Sequence, residues 1–410
     1  MDLKKNFQKK VLSNGMTVIF EKRNVPVVSV AFVVRYGSVN ETLEEKGIAH
    51  FMEHMMFKGT KTRTHAQITG EIEKRGGDMN ASTSDVCTFY FCKIPSRHLN
   101  IALDVLSDMI KNPLFDKKEF EKERKVILEE IKMYKDNPRM HVFNEIQMAL
   151  YNGTMGLTTA GTAETVNSIS REDMVKKFKE IYTPNNMALV VVGDADFNEV
   201  VDYVDTLKGT RKNFGNEKGE IPVQKFGLKN EEKTETRKGI DQANLVFAFH
   251  GPLAGDKKHY ASQVLIALLA EGMSSRLWNE IREKRNLAYA VKGMCEVTKD
   301  FAYNLIYVAT MKENVELVKE IILKEFKDVA KELDEKELEE IKEQLVGNYQ
   351  ISMEDSQSQM IGLLSEEING SAENFYDFEK NIRAVKLEDV KEIAKTATEN
   401  FSFYALVPEK

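Results

Sequence analysis

Apolar positions along the chain change period several times, and each change marks an element. Residues 9–12, 17–22 and 27–35 read as short strands, the last two rich in β-branched side chains. The stretch 27–34 is interrupted only by Ser29, which suits a buried strand and falls far short of a membrane span. Over 47–57 and 66–75 the period lengthens toward that of a helix. Gly76-Gly77 then breaks the chain, 85–94 reads as an aromatic-rich strand, and helices are predicted over 95–111 and from 116 to about 134. A buried strand over 188–192 ends at Gly193-Asp194.

Periodicity is lost over 209–227, where Gly, Lys, Asn and Glu accumulate as in a linker. Beyond it the pattern resumes, with strands over 241–250 and 301–310 and helical stretches over 260–271 and 274–283. Phe115-Asp-Lys-Lys-Glu-Phe-Glu-Lys is echoed by Leu333-Asp-Glu-Lys-Glu-Leu-Glu-Glu, an offset of 333 − 115 = 218 residues, about half the chain. The order of strands and helices around each copy also repeats. The expectation is therefore an α+β protein of two homologous halves, each a mostly antiparallel sheet packed with helices. Residues 1–208 form the first domain, 209–227 a linker and 228–410 the second domain.

Composition narrows the class. At 410 residues the chain exceeds one typical core, and its 42% hydrophobic and 30% charged residues are a globular balance. The net charge of −7 is spread over interleaved Lys and Glu, with no basic stripe, so nucleic acid is not an expected partner. Lysines near the start are followed by no apolar run, so neither a signal peptide nor membrane attachment is expected. Cys87, Cys92 and Cys295 form neither a CxxC pair nor an even framework, and reduced thiols in a cytoplasmic protein are the expectation.

The strongest chemical signal is Gly47-Ile-Ala-His50-Phe-Met-Glu53-His54. On a helix, His50 and His54 are four apart and stack on one face, where two imidazoles reach one ion. Glu53 lies beside both, placed to take a proton from an attacking water. The pattern is the inverted HxxEH motif of catalytic zinc sites, and the plain alternative is two histidines of a Met-rich packing helix. Zinc hydrolases add a third protein ligand and leave a position open. In the helix from Asp116, residues Phe120, Ile127, Ile131 and Tyr134 form an apolar stripe flanked by Glu123 and Glu130, whereas Glu129 points away. Glu130 is thus the better third ligand and Glu123 a supporting carboxylate. His65, His98, His141, His250 and His259 show no ligand spacing.

Further motifs accompany these: Leu12-Ser-Asn-Gly15, Phe57-Lys-Gly-Thr60, Gly76-Gly-Asp-Met-Asn80-Ala81, Val126-Ile-Leu-Glu-Glu130, Tyr182-Thr-Pro-Asn-Asn-Met187, Gly272-Met-Ser-Ser-Arg-Leu277 and Ile281-Arg282-Glu-Lys-Arg-Asn-Leu-Ala-Tyr289. In this combination, over nearly its whole length, the chain resembles the pitrilysin/insulinase family of zinc peptidases, in its processing-peptidase-like branch. The resemblance implies that Glu130 is the distal zinc ligand, 130 − 54 = 76 residues after the second histidine, and that Glu123 is its accessory acid. It implies that Asn80 and Ala81 lie next to an edge strand that pairs with extended substrate. Arg282 and Tyr289 match a pair that contacts substrate near the transition-state oxygen. By residue type alone they would be a helix-end charge and a strand aromatic.

A chain of this length is similar to half of the long, four-domain family members. The resemblance therefore implies a clam-shaped homodimer with composite active sites, one zinc per subunit, and the Arg–Tyr pair facing the partner's metal. The function implied is a zinc metalloendopeptidase acting on peptides or unfolded protein in a closed chamber. A non-catalytic assembly subunit of the same fold is the alternative, although such relatives would be expected to lose the ligands kept here.

Overall fold

The structure is a computed structural model that describes residues 4–206 and 221–409. Of the expected linker, residues 209–220 lie outside the described residues, and 221–227 carry no helix or strand. The described residues are mixed α+β and form two sheets.

The first sheet is built from β1 (Phe7–Val11), β2 (Thr17–Lys22), β3 (Val27–Val34), β4 (Asp78–Thr83), β5 (Thr88–Pro95) and β6 (Met187–Gly193), in the spatial order β1-β2-β6-β3-β5-β4. The second contains β7 (Glu232–Arg237), β8 (Ala243–His250), β9 (Ala288–Val297), β10 (Ala302–Thr310) and β11 (Ser402–Pro408), in the order β7-β11-β8-β10-β9. Setting β1 aside, the two orders superpose strand for strand in sequence, so β9 takes the place of β4. Each sheet has one parallel pair, β2 with β6 and β11 with β7, and every other pairing is antiparallel.

The matching halves extend to the helices that carried the sequence echo, Lys117–Asp136 and Glu335–Ser352. Both begin on an aspartate cap. Asp116 accepts from the amides of Lys118 and Glu119, and Asp334 accepts from that of Glu337.

Two compact units divide the chain, Met1–Ile131 with Thr158–Gln224 and Ser352–Tyr376, and Lys132–Leu157 with Lys225–Ile351 and Asp377–Lys410. In the first, strand alternation feeds two cores. Val18, Phe20, Val30, Phe32 and Val191 join the helices Ile48–Met56 and Leu99–Lys111 on one face, while Ile19, Ala31, Val33 and Val190 meet Met360, Leu363 and Leu364 of the helix Ser356–Asn369 on the other. Both faces are covered, which is why these strands read as continuous apolar runs rather than alternating ones. In the second unit Leu245, Phe247 and Phe249 pack with the helices His259–Ala270, Val315–Glu332 and Leu387–Glu399, and the helix Pro138–Leu150 packs against β8 and β11.

Two local expectations change. The single strand expected over 85–94 is one arm of a hairpin, because Ser84 and Cys87 form a turn, Ser84 N–H to Cys87 O at 2.8 Å, that pairs β5 with β4. The helix expected over 274–283 is π-helical over Trp278–Glu283.

Candidate active site and metal centre

The HxxEH helix, Ile48–Met56, starts at a fixed point. Gly47 has φ 95, and a Cβ there would lie 2.6 Å from the Ala160 carbonyl oxygen, so glycine alone fits. Buried Glu41 accepts hydrogen bonds from the amides of Gly47 at 3.0 Å and Ala49 at 2.8 Å, meeting the positive end of the helix with a carboxylate. Phe51, Met52, Met55 and Met56 are buried. Phe51 stacks on Phe120 of the helix Lys117–Asp136 with ring centroids 4.5 Å apart, which sets the helix of His50 and His54 against that of Glu123 and Glu130.

The other faces of these helices meet at the donors. His50 Nε2 lies 3.7 Å and His54 Nε2 3.5 Å from Glu130 Oε2, and one donor atom from each of the three residues falls within 4.8 Å of the others. Donors about 2.0–2.1 Å from a tetrahedral ion sit about 3.4 Å apart, so the spacing suits a shared small cation better than direct hydrogen bonds. Two imidazoles and a carboxylate are a donor set that zinc accepts. Glu123 is buried and its Oε2 lies 3.1 Å from His54 Nδ1, while its Oε1 pairs with Lys58 Nζ at 2.7 Å. This carboxylate fixes the ring so that Nε2 faces the other donors. His50 Nδ1 is buried and finds no such partner. Glu129 is exposed, as the helix period required.

Electrostatics separate these groups. Burial, with help from His54, pushes His50 down to about 4, against the pull of Glu130. Burial also opposes protonation of His54, but its hydrogen bond to Glu123 and the nearby charges of Glu130 and Glu53 raise it to about 9. His54 would have to give up that proton to serve as a metal ligand. Glu53 is raised by burial, against a hydrogen bond from Thr83 Oγ1 to its Oε2 at 2.6 Å. Glu123 is lowered, because its bonds to His54 and Lys58 outweigh burial.

Residues 17–163 match the model described as Insulinase (Peptidase family M16), and 168–345 match that of the Peptidase M16 inactive domain. An uncharacterized zinc protease of Bacillus subtilis, YmxG, is 32% identical over 403 residues, 96% of this chain and 97% of the relative. The chain belongs to peptidase family M16. An uncharacterized zinc protease of Rickettsia felis is similarly 31% identical over 98% of this chain and 96% of its own. Solved structures share the fold. A protease from Helicobacter pylori matches with a TM-score of 0.89 at 23% identity over 98% of this chain and 99% of its own. An M16-like peptidase from Alicyclobacillus acidocaldarius matches at 0.86 and 20% over 100% of both chains.

The remaining positions singled out in this M16 chain lie elsewhere. Asn80 and Ala81 are not beside the edge strand but in it, since β4 itself is the edge, paired to β5 through Asn80–Phe91 and Ala81–Tyr90. Gly76, at φ 77, turns the chain out of the preceding helix and lets the strand begin two residues later. Arg282 and Tyr289 belong to the second unit. Arg282 sits in the π-helical turn with its guanidinium 4.3 Å from the Trp278 ring centroid. Tyr289 is the second residue of edge strand β9 and is 77% exposed.

A second group, His141, Glu145 and Glu235, also comes within ligand range. Its carboxylates are already engaged. Glu235 is bonded by His141 at 2.9 Å, by Arg237 at 2.9 Å and by the Tyr404 hydroxyl, and Glu145 pairs with Lys233 at 2.8 Å. It reads as a satisfied network.

Two side chains at the centre were not singled out by sequence. Lys58 lies four residues after His54, and helical spacing could have flagged it as a neighbour. Thr83 reaches Glu53 through the tertiary fold, and no local pattern points to it.

Proposed function

We propose that the chain is a zinc-dependent endopeptidase of peptides or unfolded polypeptides, with His50, His54 and Glu130 as metal ligands and Glu53 as general base. The observation that carries this reading is the convergence of the three donor atoms within 4.8 Å, with Glu53 on the same helix. A zinc ion held there supplies Lewis acidity, polarising the scissile carbonyl and making water easier to deprotonate.

The chain's own residues do the rest. Glu53 accepts the proton of the attacking water on a carboxylate oxygen and delivers it to the leaving amine nitrogen. Its raised pKa suits both halves of that task, because a stronger base is also a more available acid near neutrality. Glu123, held by Lys58, keeps the His54 ring oriented. Substrate lies extended along edge strand β4 past Asn80 and Ala81, joined by main-chain hydrogen bonds. Tyr289 and Arg282 stabilise the developing oxyanion.

In this division of labour residues 1–208 carry the zinc chemistry and 228–410 carry the Arg–Tyr motif. The processing-peptidase-like branch, to which the chain's length and motifs point, pairs such chains. We take the working unit as a homodimer enclosing a chamber, with one zinc per subunit, in the cytoplasm.

The test is cleavage of a quenched, unstructured peptide by the purified chain. Activity abolished by a chelator and restored by about one equivalent of zinc supports the reading. Zinc-loaded protein that cleaves no peptide overturns it.

A further inference from the structure

The proposed base is not held by its own helix alone. The Thr83 hydroxyl lies 2.6 Å from Glu53 Oε2, one oxygen of the carboxylate. An ionised carboxylate only accepts, so the hydroxyl must spend its proton on it. Thr83 is the last residue of β4, three residues after Asn80 and two after Ala81, and its cross-strand neighbour is Thr88 of β5. The helix Ile48–Met56 packs against this strand, so the contact joins two elements already in register.

We propose that Thr83 is the positioning residue of Glu53. Three rotatable side-chain bonds leave an unrestrained glutamate many orientations. The hydroxyl fixes one carboxylate oxygen, and the oxygen not bonded to it is left to take the proton of water. Because that donor ends the strand to which substrate adds, the base and the scissile bond are registered against the same backbone. A strand seated on β4 is thereby presented to a base already aimed at it. This inference rests on the assignment of Glu53 as base.

The test compares Thr83→Val, which keeps the shape and removes the hydroxyl, with Thr83→Ser, which keeps the hydroxyl. For each, kcat and KM are measured on the quenched peptide, together with zinc affinity by chelator competition and the melting temperature. The expected result for Thr83→Val is a kcat lowered about tenfold to a hundredfold, as for a reacting group held slightly out of place. KM, zinc affinity and melting temperature stay near wild type, and Thr83→Ser recovers most of kcat. An unchanged kcat in Thr83→Val overturns the inference. So does a rise in KM alone, which would make Thr83 part of the substrate strand. A kcat loss matched by lost zinc or lost stability, and not recovered by serine, would show a structural role and overturn it equally. If the wild-type chain itself cleaves nothing while holding zinc, the peptidase reading falls and takes this inference with it. An active wild type with an indifferent Thr83→Val removes this inference alone.

Discussion

Glu53 is pushed up by burial, whereas Glu123 is lowered because its bonds to His54 and Lys58 outweigh its own burial. On the proposed reading, similar side chains are set to different tasks by their surroundings, one to exchange a proton and the other to stay charged and hold a ring. The same logic, applied to Glu235 in the second unit, gives a stability prediction. Burial would raise Glu235, but hydrogen bonds from Tyr404, His141 and Arg237 prevail and depress it from 4.5 to about 2. A depressed carboxylate stabilises the fold above its unfolded pKa and ceases to do so as pH falls through its folded one. Glu235→Gln should therefore lower the melting temperature at neutral pH, by a difference that shrinks below about pH 4.5 and is gone near pH 2. A difference independent of pH would mean that the charge on Glu235 contributes nothing. Legibility at this scale followed distance along the chain. His50, Glu53 and His54 share little more than one helical turn, and Glu123 and Glu130 are two turns apart on one helix, so local periodicity brought them out. Thr83, thirty residues from Glu53, meets it only through the packing of a helix on a strand.

The helix Ile48–Met56 and edge strand β4 were legible to different degrees. The helix announced itself by apolar spacing after a glycine. The strand did not, because Asp78–Thr83 is a half-exposed edge whose alternation rests on Met79 and Ala81 alone, and the turn at Ser84–Cys87 was hidden inside an aromatic-rich run. The π-helical turn at Trp278–Glu283 was equally invisible, since a one-residue bulge leaves the amphipathic pattern almost intact. Strand addition at β4 makes a prediction that needs no variant of the enzyme. Methylating alternate backbone nitrogens of a substrate peptide removes the donors that an added strand uses. One alternating set should raise KM about tenfold or more, and the other should change it little. Equal tolerance of both sets would argue against an added strand.

Across the whole molecule, the sequence echo at an offset of 218 residues corresponds to two sheets of one topology, with aspartate-capped helices in equivalent places. What it did not disclose is that each compact unit includes a helical segment from the other half of the sequence, 132–157 in one and 352–376 in the other. Composition and periodicity describe elements, not which sheet a helix covers. A homodimer with composite sites can be tested by complementation. Glu53→Gln chains and Tyr289→Phe chains, each weak alone, should regain about one quarter of wild-type activity when mixed and allowed to exchange. Random pairing makes about half the dimers mixed, and each mixed dimer has one intact site of two. No recovery, with exchange demonstrated, would place Glu53 and Tyr289 of one site on the same chain.

The most direct measurement is made on Glu53→Gln, which keeps the size of the side chain and removes its basicity. Zinc content and peptide cleavage are determined on the same preparation, beside wild type. The expected result is one zinc bound as in wild type, with kcat lower by about a hundredfold or more, the range general-base catalysis supplies. A zinc-loaded Glu53→Gln chain that cleaves at the wild-type rate would contradict Glu53 as the base, and with it the reading of this site.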